Sequence, residues 1–138
     1  MSILVDTNVI LDVLLEREPY AQNSSRIMAL VERKACTGYL CATTLTTIHY
    51  LACKTIGKEA GQQAIQTLLQ IYRMAPVDHQ VLQMALNIGF KDYEDSVLYA
   101  SGVNAGTGAI ITRNVKDFSA SELPVYTPEE YLINKVSS

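Results

Sequence analysis

Short apolar runs alternate with segments of helical period along the whole chain, and this alternation limits the fold more than any other feature. The runs are residues 2–6, 37–41, 73–77, 109–112 and 124–126. Each is four to eight residues or shorter and lacks a clean polar alternation, which is the pattern of a strand buried on both faces. Between them, apolar residues recur at helical spacing. Val9, Ile10, Val13 and Leu14 do so first, then Ile27, Leu30 and Val31 in residues 20–34. Strands separated by helices imply an α/β fold with a mostly parallel sheet of about five strands and helices on both faces.

Turn chemistry sets the expected boundaries. The first helix should begin at a cap supplied by Thr7 or Asn8 and end near Glu18-Pro19, because proline disfavours a helical residue before it. A helix from Ala42 to about Lys54 ends at Gly57, and Lys58–Tyr72 can return as the second arm of a hairpin. Residues 80–88 form another helix after Asp78 and His79. Asp92 is a cap for the helix that carries Val97, Leu98 and 100–103 to Gly106. Thr127-Pro128-Glu129-Glu130 has the spacing of a capping box, with proline in the first helical position, for a helix running to about Val136.

The chain has 138 residues and 49% hydrophobic content, which fits a single domain, 1–138, that buries enough surface to fold without disulfides. Cys36, Cys41 and Cys53 form no CxxC pair, so mostly buried, reduced thiols in the cytoplasm are expected. No run is long enough to span a bilayer, and the N-terminus lacks the pattern of a signal peptide. The net charge of −3 argues against gripping nucleic acid by bulk electrostatics. It does not exclude a nuclease, because a divalent metal reverses the local sign.

The functional question begins at Asp6. In ILVDTNVILD a carboxylate stands between two core-forming segments, where it is costly unless a helix cap, a cation or a metal compensates it. Asp117 follows another expected strand, and Asp92 and Asp95 stand at a helix start. In a parallel sheet, strand ends and the following helix starts share one edge, so these acids can meet. Carboxylates held close repel, and Mg²⁺ or Mn²⁺ relieves that repulsion while activating water for attack on a phosphodiester. Each acid has an ordinary explanation as well: a cap for Asp92, a helix-dipole partner for Asp95, a solvated loop for Asp117.

Three blocks, VDTNVILDVLLEREPY, GYLCATTLTTIHYLACK and KDYEDSVLYASGVNAGTGAIITRNVKDF, together resemble the PIN-domain family over nearly the whole chain. The resemblance implies a three-layer sandwich and a metal-dependent endoribonuclease that leaves a 5′-phosphate and a 3′-hydroxyl. It also implies a toxin of the VapC type, with an antitoxin partner and a homodimer built on helices in 8–35 and 43–72. It assigns Asp6, Asp95 and Asp117 as metal-holding catalytic acids. Asp92 would assist them, and Thr7, Asn8, Thr112 and Asn114 would orient them. Where the family usually carries a glutamate, this chain has Thr47. A hydroxyl is a poor metal ligand, so the alternative is a catalytically weak PIN fold that binds RNA or protein. His49 lies about 200° from Thr47 on a helix and is not expected to replace the missing acid. Glu94 is expected to project away from both Asp92 and Asp95. Arg113 and Lys116 are candidates for contacts with RNA phosphates.

Overall fold

The chain alternates as the apolar runs require. In the computed structural model, which describes residues 1–137, the elements are β1 (Ser2–Val5), α1 (Thr7–Leu14), α2 (Ala21–Glu32), β2 (Thr37–Cys41), α3 (Ala42–Ile56), α4 (Lys58–Ile71), β3 (Arg73–Ala75), α5 (His79–Ile88), α6 (Tyr93–Ala105), β4 (Ala109–Ile111), β5 (Val125–Tyr126) and α7 (Pro128–Ser137). The strands form one sheet in the order β3-β2-β1-β4-β5. Every pairing is parallel; Leu4 of β1 faces Tyr39 of β2 on one side and Ile110 of β4 on the other.

Alternation along the strands sorts the core into two layers. Ile3, Val5, Leu40, Ala109 and Ile111 pack on one face against α1, α2, α3, α4 and α7, through residues such as Ile10, Ile27, Ile48, Leu68 and Tyr131. Leu4, Cys41, Ala75 and Ile110 pack on the other face against α5 and α6. The strand order reverses at β1, whose carboxyl end lies between those of β2 and β4. Open parallel sheets bind ligands in the crevice at such a reversal.

α6 is packed on nearly all sides, with residues 96–102 buried in succession. Small residues permit this. A Cβ on Gly102 would stand 2.7 Å from Leu4 Cδ2 and 3.1 Å from Thr107 Oγ1, so glycine there sets how closely α6 approaches β1. The helix ends at Gly106, whose φ of 79° is left-handed.

Three boundaries differ from expectation. Asp6 itself caps α1, accepting the Thr7 N–H at 2.7 Å, in place of Thr7 or Asn8. α1 ends at Leu14, not near Pro19. Glu16 adopts φ 51°, its N–H donates to the Val13 carbonyl, and the Arg17 N–H donates back to the Asp12 carbonyl. Lys34 at φ 64° closes α2 in the same way, with Lys34 N–H on Val31 and Ala35 N–H on Leu30. Both are Schellman ends without the usual glycine, which is why the sequence gives no stop signal for α1. β3 closes at Ala75 and not at Val77. The capping box at Thr127 forms as expected, with reciprocal bonds between Thr127 and Glu130 at 2.9 and 3.1 Å.

Two substitutions test this packing. Gly102→Ala is expected to lower stability by about 1–3 kcal/mol through overpacking against Leu4, read from urea denaturation. Glu16→Gly removes the strain of a left-handed non-glycine residue and is expected to raise stability by about 0.5–1 kcal/mol, even after the greater freedom of glycine in the unfolded chain.

Candidate metal centre at the sheet edge

Asp6 leaves β1 at its carboxyl end and stays 7% exposed. Its backbone N–H still pairs with the Ile111 carbonyl, so it is held as part of the sheet. One carboxylate oxygen accepts the Thr7 N–H. The other accepts Thr112 Oγ1–H at 2.8 Å and the Asn8 side-chain amide at 3.5 Å. Thr112, wholly buried at the end of β4, also accepts the Asn114 N–H at 3.0 Å. Burial pushes the Asp6 carboxyl above its ordinary range. The hydrogen bonds from Thr112 and Thr7 and the charge of Arg113 oppose this, and Asp117 reinforces it.

Asp95 enters from the first turn of α6. Asp92 caps that helix by accepting the Glu94 N–H at 2.8 Å. The cap aims the helix N-terminus at the sheet edge, where its partial positive charge favours carboxylates. Asp95 is nevertheless raised from 3.8 to about 7, first by burial and then by the charges of Asp6, Asp92, Asp117 and Glu94. These acids therefore share one electrostatic neighbourhood.

Two cavities meet at Asp95. A groove of about 320 Å³ is lined by Asp6, Thr7, Thr47, Glu94 and Asp95, with Thr43, Thr44 and Thr46 adding hydroxyls and Leu82 and Tyr93 an apolar rim. A second, more open depression of about 560 Å³ is lined by Lys91, Asp92, Tyr93, Asp95 and Asp117. Asp117 sits on a 3₁₀ turn, Val115–Phe118, pinned by the buried Phe118 ring edge-on against Phe90 at 5.8 Å.

Asp6, Asp92, Asp95 and Asp117 thus gather at one edge. Thr7, Asn8 and Thr112 touch them or one another as described, and Asn114 joins through its backbone. Thr7 Oγ1 also donates to Thr44 Oγ1 at 3.3 Å, tying α1 to α3 beside Thr47. Among the described residues, no three His, Cys, Asp or Glu side chains close on a single point as a finished ligand set. The donors are all hard oxygens and their carboxylates are negatively charged, which suits a hard divalent cation and not a soft one.

Other residues fall elsewhere. Glu94, expected outside the site, lines the groove together with its neighbours Tyr93 and Asp95 from the first turn of α6. Arg113 takes a different place from the expected phosphate contact. Its Nε lies 2.8 Å from the buried Asp12 carboxylate, and its guanidinium lies 4.1 Å from the Tyr20 ring centre. Lys116 is exposed on the 3₁₀ turn. His49 is also exposed, with Nε2 3.6 Å from Cys53 Sγ. Cys36 and Cys41 are buried, as expected, while Cys53 is partly exposed. Asp12 is an acid that was not singled out from the sequence, although its place inside the apolar run VILDVLL is a signal.

The PIN domain family matches residues 2–116. The chain belongs to that family. This PIN domain is 27% identical over 138 residues to a protein named Ribonuclease VapC1 from Aquifex aeolicus (strain VF5), covering 94% of this chain and 92% of that one. Its fold is similar to that of VapBC2 from Rickettsia felis bound to a promoter DNA fragment (TM-score 0.71, 13% identity, 91% of this chain and 97% of that one). It is also similar to Mycobacterium tuberculosis VapC20, described as a Sarcin-Ricin loop cleaving toxin (TM-score 0.69, 17% identity, 88% and 95%).

The raised Asp95 gives this PIN domain a specific pH dependence. The unfolded chain releases this proton near pH 4, the folded metal-free protein near pH 7. Between those values the folded state holds the extra proton, so the Asp95 contribution to stability falls as pH rises. Asp95→Asn cannot ionise. In EDTA it is expected to melt above the wild type at pH 7.5, with the gap closing towards pH 4, as thermal scans from pH 4 to 8 would record. A gap independent of pH would contradict the assignment.

Proposed function

We propose that this PIN domain is a metal-dependent endoribonuclease and the toxin of a toxin–antitoxin pair. The observation that carries this is the gathering of Asp6, Asp92, Asp95 and Asp117 at the sheet reversal, where the charges of the other three help to raise Asp95. The likeness to Ribonuclease VapC1 and to the VapBC2 and VapC20 folds supports the same reading.

In this mechanism Asp6, Asp95 and Asp117 would hold Mg²⁺ or Mn²⁺, and Asp92 would add a further carboxylate at the open side. When bound, the cation supplies positive charge to the scissile phosphate and lowers the pKa of water. Thr112 and the Thr7 N–H fix both oxygens of Asp6, so that carboxylate needs no reorganisation on loading. Asn8 keeps the same oxygen in place. Asn114 holds the Asp117 turn, through its carbonyl to the Asp117 N–H at 2.9 Å. Thr47 and the neighbouring threonines give the groove neutral hydroxyls where RNA ribose and phosphate oxygens can hydrogen-bond. Lys116, exposed beside Asp117, is a contact for a phosphate at the rim.

The partners in this reading are an RNA substrate, an antitoxin protein and a second copy of the chain. Exposed Tyr50, Ile56 and Leu69 on the α3–α4 hairpin offer apolar surface for association.

The deciding measurement is cleavage of tRNA, rRNA and mRNA with and without Mn²⁺. Cleavage is expected only with metal, and Asp6→Asn is expected to lose at least about a hundredfold in rate, as loss of a principal electrostatic contact does. Equal cleavage by wild type and variant would reject the mechanism.

Thr47 favours a second reading, a PIN fold that binds RNA or protein with weak or no catalysis. Calorimetric titration separates the two. Heat of Mn²⁺ binding that disappears in Asp6→Asn supports the nuclease, and absence of heat at millimolar Mn²⁺ supports the binding module.

A further inference from the structure

Asp12 is an acid that the proposed chemistry does not use. It has no exposed surface and lies on α1 beside Val9, Ile10 and Leu11 in the layer that packs on the sheet. Burial pushes its carboxyl upward, and the charges of Arg113 and Arg17 pull it back down. Arg113 Nε stands 2.8 Å from one carboxylate oxygen; Arg17 Nη1 stands 3.9 Å from the other. A buried ion pair is seldom more stable than an apolar contact of the same size, but removing one partner leaves the other charge uncompensated, so each side chain holds the other in place. Tyr20 covers the guanidinium at 4.1 Å and restricts it further.

The direction matters because of where Arg113 sits. It follows Thr112, the residue that bonds Asp6, and begins the loop that carries Asp117. Its side chain reaches Asp12 near the end of α1. Its backbone N–H reaches Asn8 Oδ1 at 3.4 Å near the start of the same helix, and the Asn8 amide reaches Asp6 at 3.5 Å. The loop is therefore tied to α1 at two points.

We propose that Asp12 and Arg113 are a positioning pair. Their buried contact sets the loop of residues 112–117 against α1, and so sets the spacing between Asp6 and Asp117. Neither residue touches the substrate or the cation. The inference rests on the reading of Asp6 and Asp117 as cation-holding residues, and it adds residues the ligand set does not contain.

The test compares wild type, Asp12→Asn, Arg113→Gln and the double variant as full chains. Hydrogen exchange of the amides of residues 113–117 reads the loop in metal-free protein, and calorimetry reads Mn²⁺ affinity. Exchange is expected to quicken at least tenfold in each variant while the sheet amides keep their protection. Mn²⁺ affinity is expected to fall fivefold or more in each single variant. The double variant should be no weaker than the weaker single one, because both changes break one contact. Unchanged loop exchange overturns the proposal, as does Mn²⁺ affinity within twofold of wild type, or single losses that multiply in the double variant. If a single variant fails to fold, the double variant removes both charges of the Asp12–Arg113 pair and decides the matter by the same two readings. If wild-type protein binds no Mn²⁺, the proposed nuclease fails and the positioning of a cation pair fails with it; faster loop exchange would then mark the pair as a structural tie alone.

Discussion

The hydrogen bond from Thr112 to Asp6 joins the ends of the two strands at which the sheet reverses. It is 2.8 Å long and buried, between residues 106 positions apart. β1 and β4 deliver the two side chains to the same height because Val5 and Ile111 are in register immediately before them. Around that bond the site is assembled. The Asp6 cap starts α1, the Thr112 hydroxyl receives the amide of Asn114, and the following turn brings Asp117 forward. A shift of one residue in either strand would turn that strand's apolar residues to the opposite face and carry its polar end residue out of reach of the other.

The same edge concentrates like charge. A fold that gathered carboxylates for stability alone would be poorly chosen, because burial and mutual repulsion raise Asp95 to about 7 and push Asp6 upward. Compensation comes only in part from the chain: hydroxyls, the α6 N-terminus and the neighbouring Arg113. Perturbed acids held in a groove by a rigid sheet are the usual physical mark of a functional site. The threonine wall of α3 faces that groove with no charge of its own, so the negative density is one-sided. Glu94, on the opposite wall, increases the asymmetry.

Arg113 illustrates how one residue can serve the site without facing it. Its guanidinium is withdrawn to Asp12 and Tyr20, while its main chain stays with Asn8 and its neighbours carry the loop. A cation adjoining an acidic groove reads in sequence as a phosphate contact. Three-dimensional packing gives it an internal carboxylate instead, 2.8 Å from its Nε.

Much of this protein is written locally. Apolar runs of strand length, separated by helical period, determine a parallel sheet, since each crossover needs a helix and each helix needs a face to cover. The caps at Asp92 and Thr127 and the acids after the strands are equally local, because a short polar side chain next to a free N–H has few other uses. The resemblance of three separated blocks then pointed to the acids that belong together. The end of α1 was not legible, because Glu16 closes it in a conformation that sequence associates with glycine, whereas α2 ends within two residues of the expected position 34. Nor was the use of Asp12, the groove position of Glu94 or the turn of the Arg113 side chain towards Asp12. Each depends on what lies across the fold, and the identity of a partner some hundred residues away is fixed by packing, not by neighbouring residues. The sequence by itself determined which elements form and which acids stand at their ends. Only the tertiary structure decided which charges meet, because pairing depends on distances that the sheet register and the two covering layers set.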